Sequence, residues 1–177
     1  ISRQILTNAA GAICGMAQAT AEPIAEKPLI AATMFGVTTP CVTQARQILE
    51  EAGYEVLVFH ATGVGGRAME DLIRGGFIAG VLDVTTTELA DELVGGVLSA
   101  GPDRLEAAGK HSVPQVIAPG ALDMVNFGPL DNVPDQFKDR QFYQHNPNVT
   151  LMRTTVDENA ELGQIMARKL RAAKGPA

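Results

Sequence analysis

Tryptophan is missing from this chain of 177 residues, aromatic residues make up only 5%, and there are just two cysteines. Without large rings the core has to be built from Ala, Val, Ile and Leu. Cys14 and Cys41 stand in no metal-ligand spacing, and His60, His111 and His145 are scattered, so no metal site is expected. So few cysteines suit a reducing compartment, and a cytoplasmic location is expected. No apolar run is long enough to span a bilayer, so no membrane partner is expected. A basic stripe is also lacking: the net charge is −6 and the pI about 5.0. That argues against a nucleic-acid partner, although a small anion held by backbone N–H groups stays compatible. The chain is 46% hydrophobic and 19% charged, as expected of a globular domain with a full core.

Apolar residues recur at helical spacing over residues 3–18, through Ile5, Leu6, Ala9, Ile13, Met16 and Ala17. Gly11 and Gly15 lie one turn apart there, and two glycines weaken a helix. They suggest a face that another backbone approaches: the domain's own sheet, a further domain, or a second subunit of a homo-oligomer. The helical pattern already starts at Ile1 with no initiator Met, so the chain reads as a piece of a longer protein.

Buried strands are predicted at 29–35, 55–59, 77–82, 114–118 and 149–153. Helices are predicted at 40–52, 66–74, 87–98, 101–110 and 155–173. Residues 120–148 break the rhythm with Pro129, Pro134 and Pro147 and read as an irregular, lid-like segment. Alternating strands and helices predict a single α/β domain over 1–177. Its expected form is a three-layer sandwich on a mostly parallel five-stranded sheet, in flavodoxin-like or Rossmann-like order 2-1-3-4-5. Ligands in such sheets bind beyond the carboxyl ends of the strands, at the switch between strands 1 and 3.

That rule gathers four loops. The first is Gly36-Val-Thr38-Thr39-Pro-Cys41. Pro40 suits a first helical position and Thr39 an N-cap. Gly36, Thr38 and Thr39 could offer polar groups to an anion at the helix start. Cys41 could be an activated nucleophile, with His60 or His145 as its base. The second loop carries Gly63, Gly65 and Gly66, whose backbone could cradle a phosphate, followed by Arg67 as a charge. It is not a dinucleotide fingerprint. In the third, Thr85 and Glu88 match a capping box, and Asp83 at a strand end could orient a ligand. The fourth begins at Gly120 and carries Asp123 and Asn126 among apolar residues. His145 lies further along, just before the fifth strand.

The stretches GVTTPCVTQARQILEEAGYEVLVFHATGVGGRAMEDLI, LDVTTTELADELVGG and APGALDMVNFG, taken together, resemble the family named for the ATP-binding region of a plant tobamovirus-resistance protein. The resemblance spans nearly the whole chain. It implies two α/β domains in tandem, the first bearing a Gly-Thr-x-Asp-Thr-Lys turn. No such turn occurs here, so the chain resembles the second domain alone, with the first as a missing partner. The resemblance also implies ATP as a ligand, with Mg beside it, and, for plant members, contact with a viral replication protein. Three functions follow as expectations. One is a binding domain for a small anionic ligand, with a nucleotide such as ATP among the candidates, forming half of an interdomain site. Another is a lyase, hydrolase or racemase using Cys41 and His145. The third is an interaction module docking through the Ala/Gly helix.

Overall fold

A computed structural model describes residues 2–20 and 27–177. The described chain opens with α1 (Ser2–Gln18). The parallel sheet then builds up from β1 (Leu29–Met34), β2 (Glu55–His60), β3 (Gly80–Thr85) and β4 (Gln115–Gly120). Its order is β2-β1-β3-β4, with Ile30 paired to both Val56 and Gly80. Four strands of the expected order are therefore present, and the switch point lies between β1 and β3.

The crossovers are α2 (Thr39–Glu51), α3 (Val64–Arg74), and α4 (Thr87–Val94) with the short α5 (Ala107–Lys110). One sheet face meets α2, where Ala32, Val42 and Val56 form a small core with Leu49, Val58 and Leu82. The other face meets α3 and α5, where Ala31, Met69, Ile73, Val81 and Ala107 pack together. This placement follows from right-handed crossovers: reversing direction between β2 and β3 sends the later helices to the opposite face.

Among the described residues the parallel sheet has no fifth strand. Residues 149–153 instead form β7 (Val149–Arg153), the centre of a separate antiparallel sheet with β5 (Met124–Phe127) and β6 (Phe142–Asn146). Met124 faces Arg153 across β5 and β7, and Asn146 faces Val149 across β6 and β7. The physical reason lies in the connection. A parallel pair needs a crossover of a dozen or more residues, usually a helix, whereas antiparallel strands close through a tight turn. Residues 120–148 have no helical period, and Pro147-Asn148 turns directly from β6 into β7, with the Asn148 N–H donating to Asn146 Oδ1 at 2.8 Å. The segment expected to be irregular thus holds two strands and two single turns of 3-10 helix (Leu130–Asn132 and Asp135–Phe137).

Helix α6 (Val156–Arg171) follows β7 and packs with α4 over this second sheet. Leu89, Val125, Phe127, Met152 and Leu162 form the largest core cluster there. Its start is a true capping box. Glu158 N–H donates to Thr155 Oγ1 at 3.1 Å, and Thr155 N–H donates to Glu158 Oε2 at 2.7 Å. Arg140 clamps the same Glu158 through two bonds of 2.9 and 2.7 Å. No helix among the described residues is long and apolar enough to cross a membrane.

Candidate functional site

The turns after β1 and β2 lie at one rim because their strands are neighbours: Met34 pairs with His60, and Ala61 N–H donates to the Met34 carbonyl at 2.8 Å. A single 3-10 turn (Gly36–Thr38) leads into α2. Its cap is Thr38 rather than Thr39. The N–H groups of Thr38 and Thr39 both donate to the Phe35 carbonyl, at 2.9 and 3.1 Å, and Pro40 has none. The unspent backbone donors of the turn therefore reduce to Gly36 and Val37 at its tip. Cys41 lies exposed in the first turn of α2. Phe35 stacks on His60 with ring centroids 5.4 Å apart, which sets that imidazole beside the same turn.

A ladder of threonines ties this turn to the ends of β3 and β4. Thr38 Oγ1 lies 2.7 Å from Thr85 Oγ1. Thr85 Oγ1 donates to the Thr33 carbonyl at 3.1 Å, and Thr85 N–H donates to Thr33 Oγ1 at 2.9 Å. Thr86 N–H donates to the Gly120 carbonyl at 3.1 Å. A Cβ at Gly120 would collide with the Val84 carbonyl oxygen, so only glycine lets β4 end this close to β3.

The glycine loop already holds an anion, and it is internal. Glu88 Oε1 accepts the N–H groups of Gly63 at 2.6 Å and Gly66 at 3.1 Å. The capping box expected between Thr85 and Glu88 does not form: the cap of α4 is Thr86, and no side chain caps it. The reason is electrostatic. The N-terminus of α3 presents unpaired N–H groups and a positive dipole end, which attract a buried carboxylate more strongly than its own helix does. Gly63 has φ +83, and Cβ atoms at Gly65 and Gly66 would clash with the His60 carbonyl and with the Glu88 carboxylate respectively. These three glycines let the loop close around Glu88.

Beneath the rim lies a sealed ion cluster centred on Arg104, which no sequence motif marked. Its Nε donates to Glu88 Oε2 at 2.6 Å, while its two terminal nitrogens donate to Asp83 at 2.5 and 2.8 Å. Thr33 Oγ1 also donates to Asp83, at 2.6 Å. Glu70 stands 3.7 Å from the guanidinium and accepts the N–H groups of Leu105 and Ala107 at 2.6 and 2.9 Å. Burial works against the charge on Arg104, but Asp83 and Glu88 raise its pKa and hold it protonated. Burial pushes the Glu70 carboxyl above its usual range, with the Ala107 N–H and Arg104 pulling against that rise. The signal available in the sequence was Thr33, a polar residue inside an apolar strand. The helix expected over 101–110 shortens to α5 because Gly101 and Leu105 adopt positive φ, which turns Arg104 inward.

The remaining sequence candidates disperse. Arg67 donates to the Ser99 carbonyl at 2.9 Å and lines a shallow pocket of about 200 Å³ beside Asp71 and Arg74. Asp123 pairs with Arg153 at 3.1 Å. Asn126 is buried on β5 and donates to Asp91 Oδ2 at 2.7 Å. His145 sits on β6 of the second sheet, next to Tyr143. No group of three or more His, Cys, Asp or Glu among the described residues could hold a metal ion. Gly36, Thr38, Thr39, Cys41, Thr85 and Gly120 are thus brought together with His60, while Gly63, Gly65, Gly66 and Asp83 form the scaffold below. A triphosphate fits this rim poorly, since the N–H groups of Gly63 and Gly66 are spent on Glu88 and Arg104 is locked between carboxylates.

Known proteins are similar to this sequence. Residues 27–177 match the model described as Uncharacterised protein family (UPF0261) C-terminal domain. A UPF0261 protein of Clostridium tetani is 63% identical over 98% of the chain, which covers 43% of that relative. A UPF0261 protein of Rhizobium meliloti is 53% identical over 99% of the chain and 44% of its own length. The ToMV resistance protein Tm-1(GCR237) of Solanum lycopersicum is 50% identical over 98% of the chain and 24% of its own length. The chain spans less than half the length of these relatives. By this match and these identities, the chain belongs to the UPF0261 family, through the family's C-terminal domain.

Proposed function

We propose that this domain supplies one wall of a binding site for a small anionic ligand, and that the remainder of the full-length protein supplies the other. The observation that carries the reading is the meeting of three turns at the switch point, with Thr38 Oγ1 2.7 Å from Thr85 Oγ1 across 47 residues of sequence. The tip amides of Gly36 and Val37 and the start of α2 lie beside that meeting point, held by the buried threonine hydroxyls, a setting that suits a carboxylate or a single phosphate. The spent amides of the glycine loop support a rigid rim rather than a triphosphate cradle. A nucleotide, ATP with Mg among them, would draw its countercharge from outside this domain. The chain's share of its relatives' length supports that division.

Calorimetric titration with ATP and Mg, and separately with inorganic phosphate and small carboxylates, tests the reading on the chain and on a full-length relative. Gly36 is the informative position, because a Cβ there meets nothing within 4 Å. Gly36→Val should leave the fold intact and weaken binding about tenfold or more, the scale of 1.4 kcal/mol. Binding indifferent to Gly36→Val would remove the rim from consideration. Gly65 is a poor probe, since any side chain there strikes the backbone of His60.

A second reading, thiol chemistry at Cys41, draws on the exposed thiol in the first turn of α2 and on the imidazole of His60 stacked beside that turn. Alkylation of Cys41 faster than that of exposed Cys14 at neutral pH supports it. Equal rates would dismiss it.

A further inference from the structure

Lys110 ends α5, and the chain runs from it to the amino end of β4. It therefore stands at the end of the sheet opposite the rim. The end of α6 comes alongside. The Lys174 N–H donates to the Gly109 carbonyl at 2.9 Å, and a Cβ on Gly109 would strike Ala173, so the two elements meet at backbone distance. Beside this contact opens a cavity of about 280 Å³ walled by Glu106, Lys110, Arg168 and Lys169. Its apolar lining is Ile165, Ala172 and Ala173.

Charge is out of balance in this cavity. Glu106 takes two lysines at once, with Lys169 Nζ 2.6 Å from Oε1 and Lys110 Nζ 2.7 Å from Oε2. Arg168 pairs with no carboxylate among the described residues. Three cations against one carboxylate leave two positive charges unmatched, in a chain whose net charge is −6. The pocket beside Arg67 and Arg74, by contrast, sets three arginines against three carboxylates. Complementing the helix dipole accounts for cations at the end of α6. It does not account for their meeting a lysine of another helix around a hollow.

Lys169 is held in place, since Nζ also donates to the Pro102 carbonyl and the side chain is only 13% exposed. A fixed, half-buried ammonium meets an anion with little rotamer freedom left to lose, and reduced solvent contact strengthens the attraction. Arg168 is exposed and can close a planar guanidinium onto a carboxylate.

We propose that this cavity binds a small organic acid, with its carboxylate between Lys169 and Arg168 and a compact apolar body against Ile165, Ala172 and Ala173. The volume falls just short of the roughly 300–1,000 Å³ of pockets for drug-sized ligands, which limits the body to a short branched chain or a single ring. The apolar lining gives a bare inorganic ion nothing. The site shares no residue with the rim and is independent of the function proposed there.

Titration calorimetry of the chain with benzoate, and separately with inorganic phosphate, tests this. Benzoate should bind with a dissociation constant of about 1 mM or tighter, and phosphate at least about tenfold more weakly. In amide NMR spectra benzoate should move the signals of Gly109, Ala172 and Ala173 and leave those of Gly36 and Val37 in place. Arg168→Ala removes the closing cation, and Ala172→Leu fills the hollow. Both positions are exposed, so far-UV circular dichroism should show each variant folded. Each should weaken benzoate about tenfold or more, whereas Gly36→Val at the rim should change nothing. The proposal is overturned by benzoate that does not bind, binds no better than phosphate, moves the rim amides instead, or is indifferent to either cavity variant.

Discussion

Asp91 is fully buried on α4, where Oδ1 accepts the N–H groups of Leu98 and Asn126, both at 3.1 Å. Burial is the main cause that lifts its pKa from 3.8 to about 6, against the pull of its hydrogen bonds. A carboxyl raised on folding contributes stability that is full below its unfolded pKa and is lost as the pH climbs through its folded value. The window here runs from 3.8 to about 6. Asp91→Asn removes this dependence, and the Asn126 amide can turn to accept from the new side chain, because its Oδ1 has no partner. Denaturation across that window should show the variant gaining on the order of 3 kcal/mol relative to wild type as pH rises. Parallel curves would mean that Asp91 is not the titrating group. Arg104 gives a larger effect without a pH window. Arg104→Met leaves Asp83 and Glu88 buried without their cation and should cost about 3–5 kcal/mol in urea melts. A loss below about 1 kcal/mol would show that backbone N–H groups alone satisfy the cluster.

At the scale of elements, the helices and the order of the first four strands were readable, because periodicity and Gly or Pro punctuation act locally. Caps were less so. Thr85-x-x-Glu88 and Thr155-x-x-Glu158 spell the same motif, yet only the second closes on itself, while Glu88 crosses to the start of α3. The competing amides at Gly63 and Gly66 are 25 and 22 residues distant, beyond the reach of any local rule. Thr155→Ala should therefore lower stability by about 1 kcal/mol, read from the urea midpoint. Thr85→Val should cost more than a lost cap, since it breaks the bonds to Thr33 and Thr38 that join the ends of β1 and β3. Equal losses for the two would weaken the threonine ladder as the organiser of the rim.

Across the whole molecule, the second sheet displaces the expected fifth strand and so removes the helix that would follow it onto the face shared with α2. The rim, by contrast, survives that rearrangement, because it depends on β1 through β4 alone. If the rim is one wall of a two-part site, a full-length relative should bind a small anion at least about tenfold more tightly than this chain under the same titration. Equal affinities would place the whole site within this domain.

Hydrophobic period, glycine and proline placement and crossover handedness were enough to determine an α/β domain, its parallel strands and the rim where its loops gather. Those signals act between residues close along the chain or obey chirality, so one sequence carries them. Tertiary structure alone decided which polar groups face a ligand and which face each other. A carboxylate pairs with whatever donor folding brings within about 3 Å, and Glu88 meets the Gly63 and Gly66 amides and Arg104 meets Asp83 and Glu88 across 16 to 25 residues of chain.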